Sequence, residues 1–176
     1  MEKKQALIYG YGEDTDRLCE ALTAMEIAPL VIPAEQMGQQ VGYLCGLPGY
    51  REKKEVPELT VDRAMLLFHN LTRDDLDDAL RGIRAAGITR SSLKAMVTPT
   101  NRNWPMAKLL GEIYQEQQVM GELMKLSRLR KDVTPDPFNF PLMQALIQAE
   151  KCFSGGEDLT VDQVKKAYAD LEAALR

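Results

Sequence analysis

The chain has 176 residues, of which 45% are hydrophobic and 27% are charged, and its formal net charge is -4. These values are typical of one soluble globular domain with a small appendage, and they exclude the disordered and fibrous classes. The acidic balance repels a phosphate backbone, so we expect no nucleic-acid partner.

Four short apolar runs have the length and composition of buried strands: Ala6–Tyr9, Pro29–Ile32, Ala64–Phe68 and Leu93–Val97. Each run is followed by a helical pattern. These patterns are a helix capped by Asp14, a short helix over Glu35–Cys45, a helix opened by Thr72 with Asp75, and a long helix over Pro105–Arg130. We expect Gly87 to end the third of these helices, because glycine tolerates the left-handed backbone found at helix C-termini.

An internal repeat is visible when Ala6–Leu22 is laid on Ala64–Leu80 without a gap. The alignment matches the capping residues Asp14 and Thr72. We infer a duplicated β-α-β-α unit and an α/β fold with a small, mainly parallel, four-stranded sheet. The alternative is a ferredoxin-like βαββαβ sheet, in which the middle connection reverses direction. The direction of the strand at Ala64–Phe68 distinguishes the two.

The C-terminal part is predicted to be a helical extension. The helix over Pro105–Arg130 would be roughly 39 Å long, whereas a five-residue strand spans about 17 Å. Its predicted inner face contains Met106, Leu110, Ile113, Met120, Leu123, Met124 and Ser127. We expect an α/β domain over residues 1–130 and a helical hairpin over 131–176 that packs on the long helix. The second hairpin helix starts at a capping box of Thr160 and Gln163. We also predict a homodimer that forms through the long helix and this tail.

Cysteine and histidine usage argues against a metal site. The three cysteines Cys19, Cys45 and Cys152 are far apart, and the chain has a single histidine. We expect buried free thiols in a reducing cytoplasm, and neither a metal nor another cofactor. No apolar run has membrane-spanning length and the N-terminus lacks a signal-peptide pattern, so we expect a cytoplasmic protein without a membrane partner.

The polar loop before the long helix is the candidate ligand site. In a parallel sheet, the loops that follow the strands leave one edge, which would bring it close to the Gly10–Gly12 turn and the end of the third strand. The predicted ligand-binding residues are Thr98, Thr100, Asn101, Arg102, Asn103, Trp104 and His69. A helix start offers unpaired N–H groups to an anion. In the alternative interpretation, Trp104 packs at the helix entry and His69 is a structural imidazole.

The segments AMLLFHN, DDLDDALRGI and LKAMVTPTNRNW, together with the helix after them, cover roughly Ala64–Gln118. This stretch resembles an uncharacterised bacterial family of domains of unknown function, family 3783, and the TPTN-x-x-W loop is the most specific part of the resemblance. The resemblance implies no activity and assigns no site residue.

No catalytic residue set is recognisable in the sequence. We therefore predict a non-catalytic binding, regulatory or interaction module. The alternative is a small enzyme or sensor that binds an anionic metabolite at the Thr98–Trp104 loop.

Overall fold

The computed structural model describes residues 3–53, 61–155 and 158–176. Its strands are β1 (Gln5–Tyr9), β2 (Ala28–Val31), β3 (Ala64–His69) and β4 (Ser92–Met96). Its helices are α1 (Thr15–Ala24), α2 (Val41–Leu44), α3 (Arg73–Ala85), α4 (Met106–Lys131), α5 (Phe140–Ser154) and α6 (Val161–Ala174). Within these described ranges, no helix is both long and apolar enough to cross a membrane.

The four strands form one mixed sheet in the order β2-β1-β3-β4. The pairs β1/β2 and β3/β4 are parallel, whereas the central pair β1/β3 is antiparallel. The predicted α/β class is confirmed, but the prediction of a mainly parallel sheet is wrong. The chain reverses direction between β2 and β3, as the ferredoxin-like alternative requires. Here, however, each β-α-β unit places its two parallel strands side by side, with no strand between them.

The side chains of each strand alternate between the two faces of the sheet. On one face, Ala6, Ile8, Leu66 and Phe68 form a buried cluster with residues of α1 and α3. The other face carries Leu7, Met65 and Leu67, which are also fully buried. The central strands are therefore continuous apolar runs, as expected for strands that are covered on both faces.

The N-termini of α1 and α3 are capped differently. Thr72 and Asp75 form the predicted capping box, with the Thr72 side chain bonded to the Asp75 N–H and the Asp75 carboxylate bonded to the Thr72 N–H. Asp14 is the N-cap residue of α1, but its side chain forms no capping hydrogen bond. A 3-10 turn leads directly into α1, so the backbone of Asp14 is already helical, and its carboxylate binds Arg17 instead.

Both helices end with the same hydrogen-bond pattern. The N–H of Ile27 donates to Leu22 O and the N–H of Ile88 donates to Ile83 O, each closing a Schellman motif. The left-handed residue of this motif is Gly87 after α3, as predicted, and Glu26 after α1.

The helix predicted over Glu35–Cys45 is wrong as a continuous element. The segment contains a 3-10 turn at Ala34–Gln36 and the short helix α2, separated by extended backbone at Gln40. Tertiary contacts explain the break, because the carbonyls of Met37 and Gln39 accept hydrogen bonds from the N–H groups of Ala107 and Met106. A continuous helix would need those two carbonyls for itself.

The chain divides within α4 into a sheet unit, Met1–Ile113, and a helical unit, Tyr114–Arg176. The division predicted from the sequence, after residue 130, instead assigns all of α4 to the first domain. In the helical unit, Leu126 packs with buried residues of α5 and α6, among them Leu146 and Leu171. Leu123 of the predicted inner face packs against this cluster. The prediction is wrong for Met120 and Met124, which are 57% and 55% exposed, and it missed Leu126, which is fully buried.

Candidate functional site

The loop from Thr98 to Trp104 is organised around the buried side chain of Asn101. The Asn101 Oδ1 accepts a hydrogen bond from the Thr98 N–H at 2.8 Å, and its Nδ2 donates to Met96 O at 2.9 Å. The Thr98 hydroxyl accepts in turn from the Asn101 N–H. Asn101 therefore connects the end of β4 to the 3-10 turn at Asn101–Asn103. Two of the predicted ligand residues, Thr98 and Asn101, hold the loop in shape.

Asn103 connects this loop to the segment around α2. Its Oδ1 accepts from the Tyr50 hydroxyl at 2.7 Å, and its backbone carbonyl accepts from Gln40 Nε2 at 2.8 Å. A second contact is the backbone bond from the Val41 N–H to Trp104 O. Sequence reasoning missed Gln40 and Tyr50, because no local pattern marks residues that meet the loop from more than fifty positions away.

The N-terminus of α4 is already occupied by protein groups. The N–H groups of Met106 and Ala107 donate to Gln39 O at 2.9 Å and to Met37 O at 2.8 Å. The Leu109 N–H is bonded to Pro105 O in the first turn of the helix. An anion at this loop would therefore have to be held mainly by side chains.

Asn101 is the one buried residue among the seven predicted ligand residues. Of those whose side chains form none of these hydrogen bonds, Thr100 and Arg102 are exposed, and Trp104 and His69 are half-buried. The ammonium of Lys108, one turn further along α4, lies 4.7 Å from the centre of the Trp104 ring. This distance is typical of a cation–π contact.

The strand directions decide which predicted residues meet. His69 ends β3, and Thr98 follows β4 closely, so the two leave the same edge of the parallel β3/β4 pair. The Gly10–Gly12 turn follows β1, which runs antiparallel to β3, and it lies at the opposite edge. The prediction that all three loops share one edge is therefore wrong for Gly10–Gly12. Gln5 faces His69 in the β1/β3 register, and its Oε1 is buried without a hydrogen-bond partner.

The cysteines do not have the properties of nucleophiles. All three are free, and Cys45 and Cys152 are buried. Burial raises the pKa of the Cys45 thiol to about 11, and it raises the pKa values of Cys19 and Cys152 as well. The thiolate is the reactive form, so none of the three is poised for attack at neutral pH.

The described residues show no candidate metal site. In residues 3–53, 61–155 and 158–176, no group of three or more His, Cys, Asp or Glu side chains could hold a metal ion. The loop and the first turn of α4 thus offer hydrogen-bond donors, the cations Arg102 and Lys108, and the aromatic surface of Trp104.

Comparison with curated proteins and with solved structures finds no match to this chain. A family match begins at the first residue of β3 and ends within α4, so it includes α3, β4 and the Thr98–Trp104 loop. It therefore leaves out the first β-α-β unit and most of the helical unit. The resemblance inferred from the sequence is confirmed for the middle third of the chain: residues 64–120 match the family described as Domain of unknown function (DUF3783).

Proposed function

We propose that the protein is a non-catalytic interaction module of the bacterial cytoplasm that self-associates through its helical unit. The observation that carries this proposal is the distribution of exposed apolar side chains. Of the nine large hydrophobic residues that are exposed in the described chain, two lie in the sheet unit and seven in the helical unit. The seven are Met120, Met124, Phe138, Phe140, Ile147, Phe153 and Leu175.

Met120 and Met124 are the strongest part of this surface, because they lie one helical turn apart on α4 and project from the same side of it. Covering a methionine side chain completely is worth about 1.5–3 kcal/mol. Methionine also adapts its shape to a partner, which suits an interaction surface. A second copy of the chain would offer the same pair of side chains, as a two-fold symmetric interface requires.

Light scattering coupled to size-exclusion chromatography tests the association. We expect the mass of the wild-type chain to rise from 19.8 kDa towards that of a dimer as its concentration increases. The double variant Met120→Gln/Met124→Gln should stay monomeric at concentrations where the wild type is dimeric. Glutamine keeps the helix propensity and the approximate size of methionine, so the fold should be unchanged.

The matched control is Leu30→Gln/Val31→Gln, which replaces the two exposed apolar residues of the sheet unit. This variant should dimerise like the wild type. A wild-type chain that stays monomeric at high micromolar concentration would refute self-association, and equal weakening by both double variants would refute the assignment to α4.

A second candidate function is a sensor or small enzyme that binds an anionic metabolite at the Thr98–Trp104 loop. It is favoured by the exposed side chain of Arg102, two residues before Trp104, and by the Lys108 ammonium, which lies over the Trp104 ring. A titration with phosphorylated metabolites, followed by Trp104 fluorescence, tests this function. Arg102→Ala should abolish the response, and a response that survives this change would exclude the site.

We further infer that the two β-α-β units arose by duplication, with a change in strand direction between them. The gap-free alignment matches Thr15 with Arg73, and these are the first residues of α1 and α3. It also matches Ile8 with Leu66, which are partners in the β1/β3 ladder. A two-fold axis between this pair would relate the units, in agreement with an antiparallel central pair.

A further inference from the structure

A cavity of about 370 Å³ lies at the edge of the sheet opposite to His69 and the Thr98–Trp104 loop. It is enclosed by the C-terminal half of α3, the connection to β4, the start of β4, and Tyr11 from the turn after β1. Its lining combines Tyr11 with three apolar residues, two hydroxyl residues and three cations. All belong to the sheet unit. A volume of this size falls within the range of small-molecule sites.

The charged residues of the cavity are all cations. Arg84, Arg90 and Lys94 line it, and no carboxylate does. Within the described part of the chain, neither Arg84 nor Arg90 forms an ion pair. The nearby Asp14 is bonded to Arg17 and does not line the cavity. A chain with a net charge of -4 thus gathers three positive charges around one cavity, and neither guanidinium group forms an ion pair with a residue that the structure describes.

A chain of hydrogen bonds fixes the ammonium group of Lys94. The buried Tyr11 hydroxyl donates to Ser92 Oγ at 2.6 Å, and Lys94 Nζ donates to the same oxygen at 3.0 Å. The link is tertiary, because Tyr11 and Ser92 are 81 positions apart. Partial burial and the neighbouring Arg84 charge lower the pKa of Lys94. A bound anion would offset the repulsion between the two cations.

We propose that this cavity binds the phosphate group of a small phosphomonoester. Two guanidinium groups can each donate paired hydrogen bonds to phosphate oxygens, and the ammonium adds a third positive charge. Three cations around one small cavity suit a doubly charged group better than a monocarboxylate. The apolar side chains of Leu80, Ile83 and Ile88 provide a surface for the organic part of the ligand. This site is separate from the self-association surface and from the Thr98–Trp104 loop.

Nuclear magnetic resonance titration of the full chain tests the proposal, with inorganic phosphate, phenyl phosphate and acetate as probes. Sodium chloride at matched ionic strength corrects for screening of exposed charges. We expect saturable shifts of the amide signals of Tyr11, Arg90 and Ser92 with phosphate, and tighter binding of phenyl phosphate. Acetate should bind more weakly than phosphate. Equal binding of acetate would refute the assignment to phosphate, and shifts no larger than those in sodium chloride would refute the site.

Two single variants each remove one of the proposed phosphate-binding arginines. Arg84→Gln and Arg90→Gln should each weaken phosphate binding about tenfold or more, since each removes charge-assisted hydrogen bonds to the phosphate oxygens. Both side chains are exposed and form no ion pair with the described residues, so the fold should be retained.

Two matched arginine controls locate the effect. Arg81→Gln changes the same helix at a residue bonded to Asp78, and Arg102→Gln changes the opposite edge of the sheet. Neither control should alter phosphate binding. Equal weakening by Arg81→Gln would indicate a diffuse electrostatic effect, and dependence on Arg102 alone would place the anion at the other loop. Either result would overturn the proposal.

Discussion

The two β-α-β units of the sheet share a backbone design but use different side chains to maintain it. In both units, a buried strand leads to a helix whose N-cap and N3 residues bind each other. In α1 the Asp14 carboxylate binds the Arg17 side chain, whereas in α3 the side chains of Thr72 and Asp75 each accept a hydrogen bond from the other residue's N–H. Both helices end in a Schellman motif, with Glu26 in one and Gly87 in the other. The family match begins at β3, so it covers the second unit and not the first. Backbone hydrogen bonds and buried apolar positions therefore define this topology, whereas the capping side chains can vary.

The chain leaves the two units in different ways. After β4, Asn101 closes the loop by hydrogen bonds within five residues. After β2, the buried Gln39 side chain binds both the N–H and the carbonyl of Lys53, fourteen residues further along. The segment after β4 is therefore held by hydrogen bonds within the same loop, whereas the segment after β2 is held by a residue much further along the chain.

The largest effect is expected from removing the local closure after β4. Asn101→Ala should lower the free energy of unfolding by about 2 kcal/mol, because the Thr98 N–H and the Met96 carbonyl lose a buried partner. The change is measured as a shift of the urea midpoint, followed by the fluorescence of Trp104. The control is Asn103→Ala, an exposed neighbour, which should cost about 0.5 kcal/mol. Equal losses in the two variants would contradict the assigned role of Asn101.

Intermediate effects on stability are expected at the C-termini of α3 and α1, and the two substitutions should change stability in opposite directions. Gly87→Ala should destabilise the protein by about 1 kcal/mol, because a Cβ is unfavourable in the left-handed backbone. Glu26→Gly should stabilise it by about 0.5–1 kcal/mol, because it removes a Cβ from the left-handed backbone. The gain is not larger because glycine has more conformational entropy in the unfolded chain, which opposes folding. Thermal or urea unfolding measures both changes.

Glu26→Ala separates the backbone effect from the loss of charge, because alanine retains the Cβ. Its stability should stay close to that of the wild type. If Glu26→Ala stabilised the protein as much as Glu26→Gly, the charge and not the backbone conformation would be the cause.

The smallest effect is a dependence on pH at the N-terminus of α3. The hydrogen bond from Lys4 and those from the backbone and hydroxyl of Thr72 lower the pKa of Asp75 to about 2. A folded-state pKa below the unfolded value stabilises the fold above about pH 4, and this contribution is lost as the pH falls towards 2. Asp75→Asn should therefore reduce stability at pH 7, and its difference from the wild type should disappear near pH 2.

The matched control is Gln163→Ala at the N3 position of the capping box of α6. Because the Gln163 amide and the Thr160 groups that it binds do not titrate, the stability difference between this variant and the wild type should not show the loss expected for Asp75→Asn. A loss of the same size in both variants would assign the pH dependence to other carboxylates.

Local patterns in the sequence determined the secondary structure well. The apolar runs placed all four strands within a residue or two, and the capping signals Thr72/Asp75 and Thr160/Gln163 placed the starts of α3 and α6. These features depend on neighbours within a few positions, so periodicity and capping chemistry are sufficient to read them. The family resemblance likewise came from contiguous segments.

The direction of β3 depends on contacts between distant segments, because a strand covered on both faces is a continuous apolar run whose pattern is the same in either direction. That direction moved the Gly10–Gly12 turn away from the Thr98–Trp104 loop. It also brought Tyr11 to Ser92, next to the cations of α3 and β4. Likewise, the first N–H groups of α4 were bonded by carbonyls from the α2 region, which no local signal marks. Contacts between distant segments depend on strand order and direction, so neither candidate site could be completed from the sequence alone.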